Sequence, residues 1–467
     1  MDLWERTTAL DRLDALLGGI AGRGRVALVA GEAGLGKSAL VAEFARRCGA
    51  RARVLWGGCD RLVTPRALGP LHDEAIAWGE RAEALAERLG DVETAVHAAI
   101  NVNSARVNKG EVDALAGLEA AHERAAAHGS VEQAVRALLC LSGSMADELA
   151  QYTMAAEVIE RALDYAREQD LDGYMQYLVG ARASLRMQRG DWAGALADAD
   201  EALARSGQFA VTAVLPLVAR GRIQSARGHP AALSTLDDAA RHAERIGETQ
   251  WMAPVAAARA EYFLWRGELD RAAAEARHGI AGAAAVWQPF QLGALAYRLW
   301  QATGTEPAQI VIAEPYRLMM RGDWAEAAAR WAARGAELLR VEALSAGDQA
   351  ATAEALAVLD GLGATRAAGH LRGRLRQRGF ARIPRGPRRA TAANVAGLTG
   401  RQADVLALLA EGRSNADIAA RLVLSPRTVE YHISALFAKL GVANRGQAGA
   451  VARRLGVTDQ GQVLDRR

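Results

Sequence analysis

A glycine-rich segment near the amino terminus, GEAGLGKS at residues 31–38, has the spacing of a phosphate-binding loop. It follows an apolar run at residues 26–30 and precedes an amphipathic run, which predicts a strand, a loop and a helix in that order. Backbone N–H groups of such a loop can surround phosphates, because glycine places no side chain between backbone and anion. Lys37 would reach the β- and γ-phosphates, and Ser38 would hold Mg²⁺. The predicted residues for binding ATP with Mg²⁺ are Gly31, Gly34, Gly36, Lys37 and Ser38.

ATP hydrolysis needs more than this loop. A working site also needs a second apolar strand ending in a carboxylate, which organises the metal and the attacking water. One further strand is predicted at residues 53–57, and residues 60–100 then have a helical pattern. Two strands do not form the independently stable sheet that such a site needs. We therefore predict no ATP hydrolysis and no enzyme, and the loop either binds ATP or is a remnant that binds nothing tightly.

A second candidate site lies at residues 398–447, where three short amphipathic segments follow one another. Gln402 completes a capping box in the first, Gly412 ends it, and Pro426 occupies the first position of the third, where its missing N–H costs nothing. The predicted N-caps are Thr399, Ser414 and Ser425. The apolar positions predicted to be buried are Val405, Leu406, Leu408, Leu409, Ile418, Leu422, Val429, Ile433, Leu436 and Leu440.

The third predicted helix has a polar face that can contact DNA. Two short helices, a tight turn and a longer helix form a helix-turn-helix, which lays the longer helix in the major groove of double-stranded DNA. Base contacts are predicted for Glu430, Tyr431 and Ser434, and phosphate contacts for Arg427, Thr428 and Lys439. The alternative is a small helical domain with a merely solvated polar face. Agreement among caps, spacing and polar face favours DNA.

The same segment resembles the LuxR-type DNA-binding domain. The matching patterns, in order, are "LT.R", "VL.LLA.G.SN..IA..L.LS..TV..H" and "KLGV..R". The resemblance places the family's DNA-contacting positions on Thr428, Glu430, Tyr431, Ser434 and Lys439. Gln402 stands where the family usually has Glu, and Glu430 stands where Lys is commoner. The family's preferred DNA sequences therefore cannot be transferred to this chain.

The amino-terminal residues resemble the ATPase module of the large MalT-like LuxR regulators. The resemblance rests on GEAGLGKS and on GGCD…TP…LGPLHDEA at residues 57–75. In those relatives a Walker B strand, a sensor and a winged-helix segment come before the helical repeats. That middle portion is missing from the pattern here. The resemblance therefore implies a truncated α/β P-loop segment.

The central residues contain a recurring phrase. It appears as RGDWAGAL, RGHPAAL, RGELDRAAA and RGDWAEAAA, starting at residues 189, 227, 266 and 321. The glycine predicts the end of one helix, and the Asp or Glu after it predicts the cap of the next. Gly190, Gly228 and Gly267 lie 38 and 39 residues apart. A period near this size with helix–turn–helix content indicates a solenoid similar to tetratricopeptide repeats. Such an array has a concave surface for a protein or small-molecule effector, whereas the alternative is an irregular helical spacer.

Composition excludes several classes of protein. The net charge is only +3 at pH 7, so basic character is local, as in the Pro- and Arg-containing linker that follows the repeats. Three cysteines without paired spacing indicate a reducing compartment. Neither a signal peptide nor a long apolar segment is present, which predicts a cytoplasmic protein with no membrane contact. The scattered histidines have no metal-ligand spacing, and we predict neither catalytic nor metal-binding residues.

These features predict a mainly α-helical transcriptional regulator. The predicted domains are a P-loop remnant (1–80), helical repeats (81–380), a basic linker (381–397) and a LuxR-type helix-turn-helix domain (398–463). We expect it to bind DNA as a homo-oligomer on paired half-sites and to contact RNA polymerase. Two alternatives are a switch in which ATP at the P-loop controls assembly, and a scaffold that holds a partner on its repeats.

Overall fold

The regular structure in the described part of the chain is helical. The chain divides into two compact units, residues 1–65 and 66–467. The computed structural model describes residues 7–19, 27, 37–52, 72–204, 210–283, 288–307, 310–386, 398, 400–442 and 444–455.

The first unit contains two described helices that pack against each other. Leu10 and Leu40 are buried, and the Arg51 guanidinium donates to Asp14 Oδ1 at 2.8 Å. The described helical segments of this unit are α1 (Thr7–Gly18), α2 (Lys37–Cys48) and a 3₁₀ turn (Gly49–Arg51). This small pair of helices therefore has both an apolar and an ionic contact.

The phosphate-binding loop predicted in this unit is only partly described. Helix α2 begins at Lys37, where the sequence predicts a helix after the loop. The loop itself, residues 31–36, lies outside the described residues. So do the two predicted strands, at residues 26–30 and 53–57, apart from Ala27, which has no regular structure. The predicted strand–loop–helix arrangement remains a prediction.

The second unit begins with a long series of helices, in which consecutive helices pack against each other. The predicted domain boundary at residue 80 falls inside α3, which packs against α4. A π-helical turn (Ser144–Glu148) follows α6. The helices of this array are α3 (His72–Leu89), α4 (Val92–Asn108), α5 (Ala114–His128), α6 (Val131–Gly143), α7 (Tyr152–Glu168), α8 (Asp172–Gln188), α9 (Trp192–Ala204), α10 (Ala210–Arg227), α11 (Ala232–Ile246), α12 (Thr249–Arg266), α13 (Leu269–Ala283), α14 (Pro289–Thr303), α15 (Glu314–Arg321), α16 (Trp324–Ala333), α17 (Glu337–Leu344), α18 (Gln349–Gly361) and α19 (Thr365–Gln377).

The glycines of the recurring phrase end helices, as predicted. They adopt left-handed backbone, which costs little without a side chain. The φ angles of +87°, +76°, +77° and +87° belong to Gly190, Gly228, Gly267 and Gly322. The acidic caps form less often. Asp191 accepts a hydrogen bond from Gly194 N–H at 2.9 Å, whereas Asp323 makes no capping bond and the Glu268 carboxylate forms ion pairs with two arginines. The prediction of an acidic cap is therefore confirmed only at Asp191.

Small residues let neighbouring helices of the array approach closely. A side chain added at Gly293 on α14 would meet the Tyr316 ring of α15 at 2.3 Å. The same ring packs edge-on against fully buried Trp331, with ring centroids 5.0 Å apart. Trp192, which follows the Gly–Asp pair of the phrase, is also buried, and its indole N–H donates to Met187 O at 3.3 Å. These tryptophans therefore pack between helices.

Residues that follow α19 remain attached to the array. Arg372 Nε donates to Pro384 O at 2.9 Å, and Ile383 packs against the apolar core. Arg378 donates to three carbonyls beyond the end of α17, at 3.3, 3.0 and 3.1 Å, those of Ser345, Ala346 and Gly347. Within the predicted linker, residues 381–386 therefore lie on the helices, and residues 387–397 lie outside the described residues.

The carboxyl-terminal helices enclose a separate apolar core. The first three lie where the sequence predicts them, and the fourth was not predicted. They are α20 (Gly400–Ala410), α21 (Asn415–Leu422), α22 (Pro426–Leu440) and α23 (Arg445–Leu455). Among the helices that the structure describes, none combines the length and apolar composition needed to cross a bilayer.

Candidate nucleic-acid interface

Helix α21 begins with a complete capping box. Ser414 Oγ accepts the Asp417 N–H at 3.1 Å, and Asp417 Oδ2 accepts the Ser414 N–H at 3.0 Å. The hydroxyl of Ser414 also donates to this carboxylate at 2.6 Å, and this bond lowers the pKa of Asp417. The prediction of a helix start at Ser414 is confirmed, and the box orients the first helix of the helix-turn-helix.

Helix α22 begins as predicted at Ser425. Its Oγ accepts the Thr428 N–H at 3.1 Å, and Pro426 occupies the first helical position. The hydroxyls of Ser425 and Thr428 lie 2.8 Å apart and form a hydrogen bond. Gly441, with φ +62°, ends the helix in left-handed backbone. The start of α22 is therefore fixed by local contacts that also orient the Thr428 hydroxyl. The predicted cap of α20, Thr399, lies outside the described residues.

The turn between α21 and α22 contains an unusual residue. Val423 has φ +54° and ψ +51°, a left-handed conformation that a β-branched side chain rarely adopts. Its side chain is 89% exposed, so burial of the valine does not offset this strain. The conformation lets the Leu424 N–H donate to Ala419 O at 2.9 Å. Val423 thus sets the direction of the chain between the two helices.

Helix α22 has one apolar and one polar side. Val429 and Leu436 are fully buried, and Ile433 and Leu440 are partly buried against the same core. On the opposite side four predicted contact residues are exposed together: Arg427, Glu430, Tyr431 and Ser434. Tyr431 is 72% exposed. Its ring is therefore accessible to a partner that contacts this face.

Thr428 and Lys439 lie at the two ends of α22. They are eleven residues apart, which is about 16 Å along a helix. Thr428, which bonds to the N-cap residue Ser425, is half-buried. Lys439 is exposed. The Lys439 ammonium donates to Gln402 Oε1 on α20 at 2.9 Å. Sequence reasoning missed this contact, although the Gln402 side chain is buried and bonded to α22. The predicted capping box of Gln402 with Thr399 stays a prediction, because Thr399 lies outside the described residues.

The fourth helix, α23, completes the core. Ala448 and Ala452 are fully buried, and α23 packs against α20. Arg445, at its first position, donates to Asn415 Oδ1 at 2.8 Å and to the carbonyl of Arg413. These bonds join α23 to the segment that begins α21. The final arginine of the pattern KLGV..R is the signal that could have indicated this role, but sequence reasoning assigned none to it.

The predicted nucleotide-binding site lies mostly outside the described residues. Gly31, Gly34 and Gly36 lie outside them. Lys37 and Ser38 form the first turn of α2, and nothing of their side chains is described. ATP and Mg²⁺ binding therefore remain predictions from the sequence pattern.

Comparison with known proteins gives matches in the carboxyl-terminal helices. Residues 396–452 match the profile of bacterial regulatory proteins of the luxR family. The chain is 41% identical over 59 residues to the spore germination protein GerE of Bacillus subtilis, covering 13% of this chain and 80% of that protein.

Two mycobacterial proteins also match part of the chain. A putative HTH-type transcriptional regulator of Mycobacterium bovis is 46% identical over 77 residues, which are 16% of this chain and 9% of that regulator. The DNA-binding transcriptional activator DevR/DosR of Mycobacterium tuberculosis is 43% identical over 61 residues, 13% of this chain and 28% of that protein. The match therefore covers less than a tenth of the length of the Mycobacterium bovis regulator.

Proposed function

Because the chain belongs to the luxR family of bacterial regulatory proteins, we propose that it is a sequence-specific DNA-binding transcriptional regulator. The observation that supports this proposal is the polar face of α22, with Arg427, Glu430, Tyr431 and Ser434 exposed on one side of a helix whose other side is buried. The helix is 15 residues long and packs its apolar side into the carboxyl-terminal core. Such a helix fits the major groove of B-DNA.

In this proposal the two ends of α22 bind phosphates. The amino-terminal end carries a positive helix dipole together with the Thr428 hydroxyl and the Arg427 guanidinium, which suit a phosphate oxygen. Lys439 binds a second phosphate near the other end of the helix. Its side chain is exposed, so a phosphate oxygen can reach the ammonium group.

The middle of the same face contacts bases. Glu430 can accept a hydrogen bond from the amino group of cytosine, and Ser434 can donate or accept. The Tyr431 ring can pack against a thymine methyl group, and its hydroxyl can bond to a base edge. Because Glu430 adds negative charge near the phosphates, it favours binding only where a cytosine amino group compensates it. The side chain therefore selects against other sequences.

In this proposal the rest of the chain regulates DNA binding. One helix-turn-helix rarely binds tightly enough by itself, so the protein binds paired half-sites as a homo-oligomer and contacts RNA polymerase there. The helical array, which we propose to be tetratricopeptide-like, senses an effector or mediates oligomerisation. The domain bounds 81–380, 381–397 and 398–463 belong to the same proposal.

The salt dependence of DNA binding tests the placement of α22. Fluorescence anisotropy of the full chain on a bound genomic fragment is measured against salt concentration. Lys439→Ala should weaken binding to all duplexes and reduce the log–log salt slope by about one, because one fewer phosphate is neutralised. Lys109→Ala removes a lysine of the array, paired with Asp73 at 2.5 Å, and should leave the slope unchanged. Equal slopes for wild type and Lys439→Ala contradict the placement.

A second candidate function is an ATP-controlled switch. It is supported by the glycine-rich residues 31–36 followed directly by α2, which begins at Lys37. In this proposal ATP with Mg²⁺ binds the loop and favours an assembled, DNA-competent state. Calorimetry with ATP and Mg²⁺ should detect binding to wild type and weaker binding to Lys37→Ala. Negligible heat in both proteins contradicts the switch and leaves the DNA-binding proposal intact.

A further inference from the structure

A chamber of about 520 Å³ lies within the helical array. Residues of α8–α10, α12–α14 and α17–α19 line it. Three indole rings contribute to its lining, those of Trp192, Trp265 and Trp300. Its volume lies within the range of sites that bind drug-sized molecules, about 300–1,000 Å³. The chamber is therefore large enough for an organic ligand with an aromatic body.

Two arginines and two glutamates in the lining compensate each other. Arg298 pairs with Glu261 at 2.8 Å and with Glu342, and Arg222 pairs with Glu261 at 2.9 Å. Burial opposes the ionisation of Glu261, but Arg222 and Arg298 outweigh it, so that its pKa is lowered. These four groups form a neutral network on the chamber wall, and Arg222, Glu261 and Arg298 also line a smaller cavity of about 170 Å³. A ligand need not neutralise them.

The positive charge of Arg374 on α19, unlike the charges of these four groups, is not compensated by an ion pair within the described part of the chain. It lines the chamber but forms no ion pair with any other residue that the structure describes. His370, one turn earlier on the same helix, also lines the chamber. Burial of the imidazole lowers the pKa of His370, and the positive charges of Arg374 and Arg366 lower it further. The imidazole is therefore neutral at pH 7 and can donate a hydrogen bond. One positive charge thus remains uncompensated beside an aromatic, apolar interior.

We propose that this chamber is the effector site and that its ligand is a small amphipathic organic monoanion with an aromatic body, such as an arylcarboxylate. The carboxylate binds Arg374 and His370, and the aromatic body packs among the three indole rings. A neutral analogue of the same shape lacks the charge-assisted bond. The inference rests on the proposed function only in assigning the ligand an effector role, because ligand binding itself does not require DNA.

Helix α19 also precedes the predicted linker and the DNA-binding helices in the sequence. Arg378, immediately after α19, donates to Ser345 O, and Ser345 itself lines the chamber. Residues 378–386 then run along the array toward the carboxyl-terminal domain in sequence. A ligand that holds Arg374 therefore also holds the helix that continues into this segment.

Calorimetry on the full chain without DNA tests the chamber. The probes are 1-naphthaleneacetate and its neutral match, 1-naphthaleneacetamide. Wild type should bind the acid at least about tenfold more tightly than the amide. Arg374→Gln should remove this preference by weakening the acid alone, whereas Arg374→Lys, which keeps the charge, should retain it. Arg376→Gln is the matched control, since Arg376 is exposed on α19 and does not line the chamber.

Three results overturn the inference: equal binding of acid and amide by wild type, no binding of either at millimolar concentration, or equal effects of Arg374→Gln and Arg376→Gln. Unfolding curves of each variant show whether Arg374→Gln is folded, and Arg374→Lys provides the preference test if it is not. DNA binding is measured separately. If the protein binds DNA but does not prefer the acid, the chamber proposal is wrong and the regulator proposal stands. If it binds the acid but not DNA, only the regulator proposal is contradicted.

Discussion

The Lys439 ammonium lies 2.9 Å from Gln402 Oε1 and joins the carboxyl end of α22 to α20. Gln402 is only 6% exposed, whereas Lys439 reaches the surface. One lysine therefore orients the reading helix within its domain and presents a positive charge at its end. Stability and DNA affinity should therefore separate when Gln402 alone is replaced.

Replacement of Gln402 should affect stability without affecting phosphate contact. Gln402→Ala loses a hydrogen bond and buried volume, so the free energy of unfolding of the domain should fall by about 1–2 kcal/mol. Gln402→Glu keeps an acceptor for Lys439 and should not show this loss. The salt slope of DNA binding should remain that of wild type in Gln402→Ala, measured on folded protein at low temperature. A reduced slope would mean that Gln402, rather than Lys439 itself, positions the phosphate contact.

Arg445 should stabilise the domain from outside the DNA-contacting face. Its guanidinium bonds to Asn415 Oδ1 and Arg413 O, so Arg445→Ala should lower the free energy of unfolding by about 1.5–3 kcal/mol. Arg427→Ala removes an exposed guanidinium from α22 and should change stability by less than about 0.5 kcal/mol. Denaturant unfolding of both variants checks the difference. Equal stability of Arg445→Ala and wild type would show that α23 is held by its apolar contacts alone.

Replacement of Val423 with glycine should relieve the backbone strain at this position. Val423→Gly removes the cost of left-handed backbone for a β-branched residue, although it adds entropy to the unfolded chain. The net result should be a stabilisation of about 0.5–1 kcal/mol, because the exposed valine side chain contributes little burial. Val423→Thr has the same branching and should resemble wild type. Thermal unfolding measures both, and destabilisation by glycine would indicate that the valine side chain makes a necessary contact.

The capping box of α21 should make stability depend on acid pH. The pKa of Asp417 is lowered in the folded protein, so its stabilising contribution is present above the ordinary Asp value of about 3.8. That contribution disappears as the pH falls through the lower, folded value. The stability difference between wild type and Asp417→Asn should therefore shrink below about pH 4. Urea unfolding from pH 7 to pH 3 measures it, and a constant difference would contradict the capping role.

Helix starts in the DNA-binding domain could be predicted because they depend on nearby residues. Ser414 and Ser425 bond to N–H groups three positions away. The Lys439–Gln402 bond spans 37 residues, and periodicity contains no information about such a contact. Helix α23 was missed because RGQAGAVARRL has little apolar periodicity, and its fully buried residues are two alanines. The chamber depends on helices brought together from distant parts of the chain, so the sequence pattern does not predict it.

Selection from random-sequence duplexes tests most directly the claim that α22 reads DNA. The full chain, Tyr431→Ala and Lys439→Ala are each incubated with the same library at moderate salt, and bound duplexes are sequenced. Wild type should enrich a motif with two half-sites. Tyr431→Ala should lose preference at one or two positions of each half-site, and Lys439→Ala should keep the motif with weaker enrichment. An identical motif from wild type and Tyr431→Ala, or no enrichment by wild type at any salt concentration, would contradict the account.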